Sequence, residues 1–140
     1  MLSMNKSGRK LIEYINITEN NMENYYNITS SLVILIVQDK FVIGYNKYRN
    51  QWEFPAGHIE KGETLKQTTF RELFEETHQR VDNLKFKGLF RIEDNKKIIK
   101  YQAIYIGYKS RLSDFIYKDN DEMKKIYLWN LKENIGYVDA

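Results

Sequence analysis

Apolar and polar positions in this chain fall into short alternating or continuous runs, broken by polar turns and by one amphipathic stretch of helical period. Leu11 to Ile17 alternates roughly, as a half-buried strand does, and a weaker strand is predicted near Tyr25 to Ile28 after the polar Glu19-Asn20-Asn21 turn. Ser31 to Gln38 is a continuous aliphatic run, the pattern of a strand covered on both faces. The two-residue link Asp39-Lys40 leads into Phe41 to Tyr45, which predicts a hairpin. A basic and polar loop, Asn46 to Gln51, then precedes Trp52-Glu53-Phe54. Thr64 and Gln67 form a capping-box pattern, so a helix is predicted from near Leu65 to near His78. Leu65, Thr69 and Leu73, with Phe70 and Phe74, give that helix one apolar face. Leu84 to Ile92 and Ile98 to Tyr108 read as strands paired across Glu93 to Lys96, and Ile126 to Trp129 as the last strand. Residues 109–123 form a polar, acidic loop. Residues 1–8 read as a loose tail, and a helix start near Asp139 implies that a closing helix is short or absent.

Strands, one long helix, then more strands predict an α/β fold: a mixed sheet with helical cover. No linker or repeat divides the chain, so residues 1–140 are expected to be one domain, the size for a single core.

Composition narrows the chemistry. There is no cysteine, which excludes disulfides, thiolate metal sites and a cysteine nucleophile. The net charge of +3 is too small to argue for nucleic acid or a membrane surface. The longest apolar run, Leu32 to Val37, is too short to span a bilayer, and residues 1–10 carry no secretory pattern. A cytoplasmic location is therefore expected, which leaves the sequons at Asn16 and Asn27 without meaning.

The amphipathic stretch carries the candidate chemistry. Glu72, Glu75 and Glu76 stand at i, i+3 and i+4, so all three are expected on one helix face, at a cost of roughly 0.2–0.5 kcal/mol per like-charged pair. Arg71 adjoins only part of the group and cannot neutralise it. A run of this kind also fits a solvated helix face. If something cationic sits over it, the oxygen-only donor set suits Mg²⁺ or Mn²⁺, and such ions complete their shell with water and substrate phosphate.

The preceding loop decides between these. Gly57, Glu63, Arg71, Glu72, Leu73, Glu75 and Glu76, in that order and spacing, resemble the signature of the Nudix hydrolases, matching seven of its nine fixed positions. The lead-in Trp52-Glu53-Phe54-Pro55-Ala56 is similar to that of MutT-type members. His78 stands where the signature has glycine, and Gln79 where it has an aliphatic residue. Glycine there would end the helix in the left-handed region; histidine tolerates that region better than most residues. Val81 could supply the missing apolar contact.

The resemblance implies an α/β/α sandwich, with the signature forming a loop–helix–loop. It implies hydrolysis of a diphosphate linkage in a nucleoside triphosphate or related nucleotide, oxidised ones included, with Mg²⁺ or Mn²⁺ as cofactor. The ion would be held by the Ala56 carbonyl, Glu72, Glu75 and Glu76, with Glu72 as ligand or base and Arg71 orienting a neighbouring glutamate. Gly57, Gly62 and Glu63 would shape the loop. A further acid is expected from Asp121 or Glu122, with Asp114 and Asp119 as weaker candidates. Lys47 and Arg49, flanking Tyr48, are candidate phosphate contacts. Trp52 and Phe54 are expected in the core, and His58 in solvent. Two other functions stay open: a catalytically silent module that binds a nucleotide or protein, and diphosphate removal from an RNA 5′ end, which the missing basic stripe disfavours. The resemblance also allows a homodimer, although no pattern marks an interface.

Overall fold

The computed structural model describes residues 2–139. In chain order it has strands β1 (Ser3–Met4) and β2 (Lys10–Ile15), a 3₁₀ turn (Glu19–Asn24), and strands β3 (Ile28–Val37), β4 (Lys40–Asn46), β5 (Gln51–Glu53) and β6 (Ala56–His58). Helix α1 (Leu65–Thr77) follows, then β7 (Lys85–Glu93), β8 (Ile99–Lys109) and β9 (Met123–Trp129).

The strands join in the order β1-β2-β7-β8-β3-β4-β5, with β6 added on β3 and β9 on β4. β3 runs parallel to β8 along its length; the other pairings are antiparallel, so the sheet is mixed, as expected. The other edge of β3 is shared. Its first half pairs with β6 (Ser30 with His58, Leu32 with Ala56), and its end pairs with β4 (Ile36 with Phe41). That split brings β6 and the loop after it beside the first half of β3.

The aliphatic run of β3 explains its central place. Val33, Leu35 and Val37 are fully buried, whereas Leu32, Ile34 and Ile36 are only partly covered, so its two faces are covered unequally. The buried face meets Val42, Leu73, Leu84, Leu89, Ala103 and Tyr105 in the core. Each such large side chain contributes roughly 1.5–3 kcal/mol by leaving water. The helix enters this core through Leu73, and Thr69 sets its Oγ1 2.7 Å from Ser31 Oγ on β3.

The helix limits agree with the sequence. The Thr64 hydroxyl accepts from the Gln67 N–H while the Gln67 side chain accepts from the Thr64 N–H, and His78 ends the helix in the left-handed region (φ 60°, ψ 23°).

Three expectations are corrected. The start of the chain is not loose: Ser3 and Met4 pair with Leu11 and Lys10, because the Asn5 side chain accepts from the N–H groups of Ser7 and Arg9 and closes a hairpin. No strand precedes β3 near Tyr25; the polar segment makes a 3₁₀ turn, and Tyr25 packs edge-on against Tyr101. Asp139 starts no helix, and the closing helix expected to be short or absent is absent among the described residues. The Asp139 N–H donates to the Trp52 carbonyl and Val138 bridges to Trp52, so this segment is extended. Among the described residues α1 is the sole α-helix.

Candidate active site

Arg71 organises the loop before α1. Its Nε donates to Glu63 Oε2 at 2.7 Å and its Nη2 to Glu63 Oε1 at 2.9 Å, the two-pronged pairing a guanidinium makes with a carboxylate. Nη1 reaches Glu72 at 2.6 Å and Glu75 at 3.3 Å, and Nη2 also donates to the His58 carbonyl. Glu63 further accepts from the Glu60 N–H and the Thr68 hydroxyl. With the Arg71 hydrogen bonds foremost, its carboxyl is pulled down to about 2. Gly62 supplies the turn at φ +86°. An ion pair between Glu63 and Arg71 thus braces the loop.

The three helix carboxylates do not share one environment. Glu76 is only 7% exposed, and its one hydrogen bond is from the Ala56 N–H at 3.2 Å. Burial pushes its carboxyl well above the ordinary range, and the charges of Glu72 and Glu122 add to the rise. Glu72 is half-buried and raised by burial, with Arg71 opposing the shift. It lies against Gly57 so closely that a Cβ there would fall 2.1 Å from the Glu72 carboxyl carbon. Glu75, in contrast, has a side chain 55% exposed and 3.3 Å from Arg71 Nη1. At about 100° per residue Glu75 and Glu76 stand about 60° and 40° to either side of Glu72, so the three share one face whose two margins are covered unequally.

Facing them is a second set, from segments distant in sequence. Glu122 Oε1 accepts from Asn46 Nδ2 at 2.6 Å and from Arg49 Nη2 at 3.0 Å. Arg49 also pairs with Glu53, whose Oε1 and Oε2 accept from Asn46 and Gln51. Burial alone would raise Glu53, but these hydrogen bonds together hold it below the ordinary range.

Of the acids expected near the last strand, only Glu122 reaches the cleft. Asp121 faces the other way, 3.6 Å from His78 Nε2, and Asp114 and Asp119 lie exposed. Lys47 is not in the cleft either: its amine donates to Tyr117 Oη and the Asp119 carbonyl. Arg49 is. Trp52 is in the core as expected, edge-on to Tyr45, but Phe54 forms part of the cleft wall. His58 is exposed, as expected.

The cleft encloses about 850 Å³. Glu72, Glu76 and Glu122 lie at it together with Arg49, and Leu32, Phe54 and Phe90 give it apolar wall. The hairpin before β2 adds Lys6 and Arg9, a contribution the sequence did not signal because the residues preceding β2 carry no motif. Arg9 is partly buried, and burial, its largest influence, lowers its guanidinium below the ordinary value.

Among the described residues, no three His, Cys, Asp or Glu side chains already stand as a formed metal cluster. Glu72 is turned to Arg71, Glu76 to the Ala56 N–H and Glu122 to Asn46 and Arg49. The donor set still fits a hard divalent cation in kind: oxygen atoms only, with the crowding of carboxylates adding to the burial that raises Glu72 and Glu76. A cation would relieve that crowding by drawing the carboxylates from their present partners.

A family model described as the NUDIX domain matches residues 26–133. The chain is similar to the RNA pyrophosphohydrolase of Francisella philomiragia, 41% identical over 51 residues, covering 36% of this chain and 33% of that one. It is also similar to mouse nucleoside diphosphate-linked moiety X motif 6, 46% identical over 48 residues, covering 34% of this chain and 14% of that one. These curated relatives are thus matched over a third of their length or less. Among solved structures, a Bacillus subtilis pyrophosphohydrolase superposes with a TM-score of 0.70 at 22% identity, over 91% of this chain and 76% of that one, which shows a shared fold. No helix of the described residues is long and apolar enough to cross a membrane.

Proposed function

The chain belongs to the Nudix superfamily, and on that premise we propose that it hydrolyses a diphosphate linkage in a nucleoside triphosphate or a related nucleotide derivative, with Mg²⁺ or Mn²⁺ bound. The observation that carries this reading is the convergence of Glu72, Glu76 and Glu122 on one cleft that also presents Arg49, Arg9 and Lys6. Acids for a cation and cations for phosphate oxygens are both needed to hold a polyphosphate.

In this reading Glu76, Glu72 and Glu122 hold the ion, with the Ala56 carbonyl as a further donor and Glu75 joining them. The bound ion would neutralise phosphate charge and lower the pKa of water. Glu72, placed at the cleft by the room over Gly57, is the group assigned to take a proton from the attacking water. Arg71 keeps Glu72 and Glu63 in place. Arg49, paired with Glu122 in this structure, would be available to a phosphate were Glu122 to hold the ion, the contact expected of it from the sequence. The apolar wall with Phe54 and Phe90 suits a nucleoside.

A second reading has support of its own. The relatives named as RNA pyrophosphohydrolases, and the extra cations at Lys6 and Arg9, support an RNA 5′ end as the substrate. One assay separates the alternatives: incubation with Mg²⁺ or Mn²⁺ and a panel of canonical and oxidised nucleotides, nucleotide sugars, dinucleoside polyphosphates and 5′-triphosphorylated RNA. Appearance of cleavage products from one class (phosphate or pyrophosphate from a triphosphate, a nucleoside monophosphate with a sugar phosphate or a second nucleotide from the others) names the substrate. No turnover across the panel overturns the enzymatic reading in favour of a silent binding module.

A further inference from the structure

The helix exit departs from the family signature at two positions, and the turn itself requires neither residue. His78 closes α1 by donating its N–H to the Phe74 carbonyl at 2.8 Å, a task glycine performs with less strain. Gln79 replaces an aliphatic residue yet is fully buried, so its amide needs partners. It has a full set. Oε1 accepts from the Ser113 N–H and from Lys109 Nζ, both at 2.9 Å. Nε2 donates to the Ser113 carbonyl at 2.8 Å and the Thr77 carbonyl at 3.1 Å. Gln79 therefore grips both main-chain groups of Ser113, as a neighbouring strand would. The His78 ring lies 4.3 Å from that of Phe115, and its Nε2 lies 3.6 Å from the Asp121 carboxylate.

Ser113, Phe115 and Asp121 all belong to residues 110–122, the irregular connection between β8 and β9, and its last residue is Glu122. A connection of this length without regular structure needs anchors if one residue is to be held in place. On the β4 side the Lys47 N–H bonds the Glu122 carbonyl, and Arg49 pairs with its side chain. Arg49 is 58% exposed, so that pair is a weak tether by itself, and the buried Asn46 amide, which donates to Glu122 Oε1 at 2.6 Å, holds the carboxylate but none of the residues leading to it.

We propose that His78 and Gln79 are positioning residues: they dock residues 110–122 on the exit of α1 and so hold Glu122 against the cleft. The altered exit is a clamp specific to this connection, taking the place of a generic helix stop. The inference rests on the reading above that Glu122 helps to hold the divalent ion.

The test uses the whole chain with Mn²⁺, its affinity read from the electron paramagnetic resonance of free Mn²⁺, and amide hydrogen exchange at Ser113. Gln79→Leu is expected to speed exchange at Ser113, weaken Mn²⁺ binding about tenfold, and lower kcat with KM little changed. His78→Gly, which eases the helix turn, is expected to weaken Mn²⁺ binding in the same sense without lowering Tm, so a folding defect cannot account for the loss. In a Glu122→Gln background neither substitution should weaken Mn²⁺ binding further. Unchanged affinity in both variants, or an equal loss in that background, overturns the clamp. If Glu122→Gln itself leaves Mn²⁺ affinity unchanged, the role of Glu122 fails and the clamp fails with it. Loss in Glu122→Gln but not in the two exit variants refutes the clamp alone.

Discussion

Two arginines hold carboxylates on opposite sides of the cleft, and they do so differently. Arg71 projects from the middle of a helix, keeps a side chain only 22% exposed, and contacts Glu63, Glu72 and Glu75 within one continuous stretch. Arg49 projects from a turn, is 58% exposed, and joins Glu53 to Glu122 across about half of the chain. The first wall is held by local geometry. The second is assembled by folding, and its arginine is the more loosely held of the two. A rigid wall suits groups that must stay fixed, and a looser one suits a carboxylate that must turn toward an ion.

The largest expected effect falls on the buried acid of the rigid wall. Glu76→Gln should lower hydrolysis by more than about a hundredfold, beyond what loss of an outer supporting group costs. Without added metal it should also raise Tm, by roughly 3 °C for about 1 kcal/mol, because an uncompensated buried charge is removed. Kinetics and thermal melts check both halves, and a lower metal-free Tm would show that Glu76 stabilises the fold instead.

The arginines themselves sharpen the contrast. Arg71→Ala strands Glu63 and Glu72 and should destabilise by about 2 kcal/mol, less than a fully buried pair costs since Arg71 keeps some exposure. Arg49→Ala should cost less than about 1 kcal/mol and act mainly on KM. Urea titrations that put the two equal would break the distinction drawn between the walls.

A smaller effect concerns acid. The Glu63 carboxyl lies at about 2 against an ordinary 4.5, so the unfolded chain binds the proton more readily between those values. The pairing therefore stabilises fully above about pH 4.5, and its contribution fades as pH falls toward 2. Wild type should lose more stability than Glu63→Gln across that window, with the difference closing at its lower end. Melts from pH 6 to 2.5 read this directly.

The contrast also marks what could be read from the chain alone. Helix α1, its capping box, the Glu63 brace and Glu72 to Glu76 were legible because each depends on residues a few positions apart. The different exposures of Glu75 and Glu76 were not, since they depend on which side of the helix meets β3 and β6. Glu122 could be proposed only alongside Asp121, because alternation at the foot of a strand depends on register, and the turn that sends Asp121 to His78 is set by tertiary contact. Lys6 and Arg9 were invisible, because Asn5 folds the hairpin locally while its place beside the cleft follows from β2 joining β7.

The hydrogen on the α-carbon of Gly57 has a use beyond making room. Because an added methyl would collide with the Glu72 carboxyl group, Gly57→Ala displaces an acid that is still chemically present. Glu72→Gln keeps the shape and removes the charge; Gly57→Ala keeps the charge and spoils the aim. Comparing their kinetic deficits would tell whether this position works by its chemistry or by its address, a question that no substitution of Glu72 can answer alone.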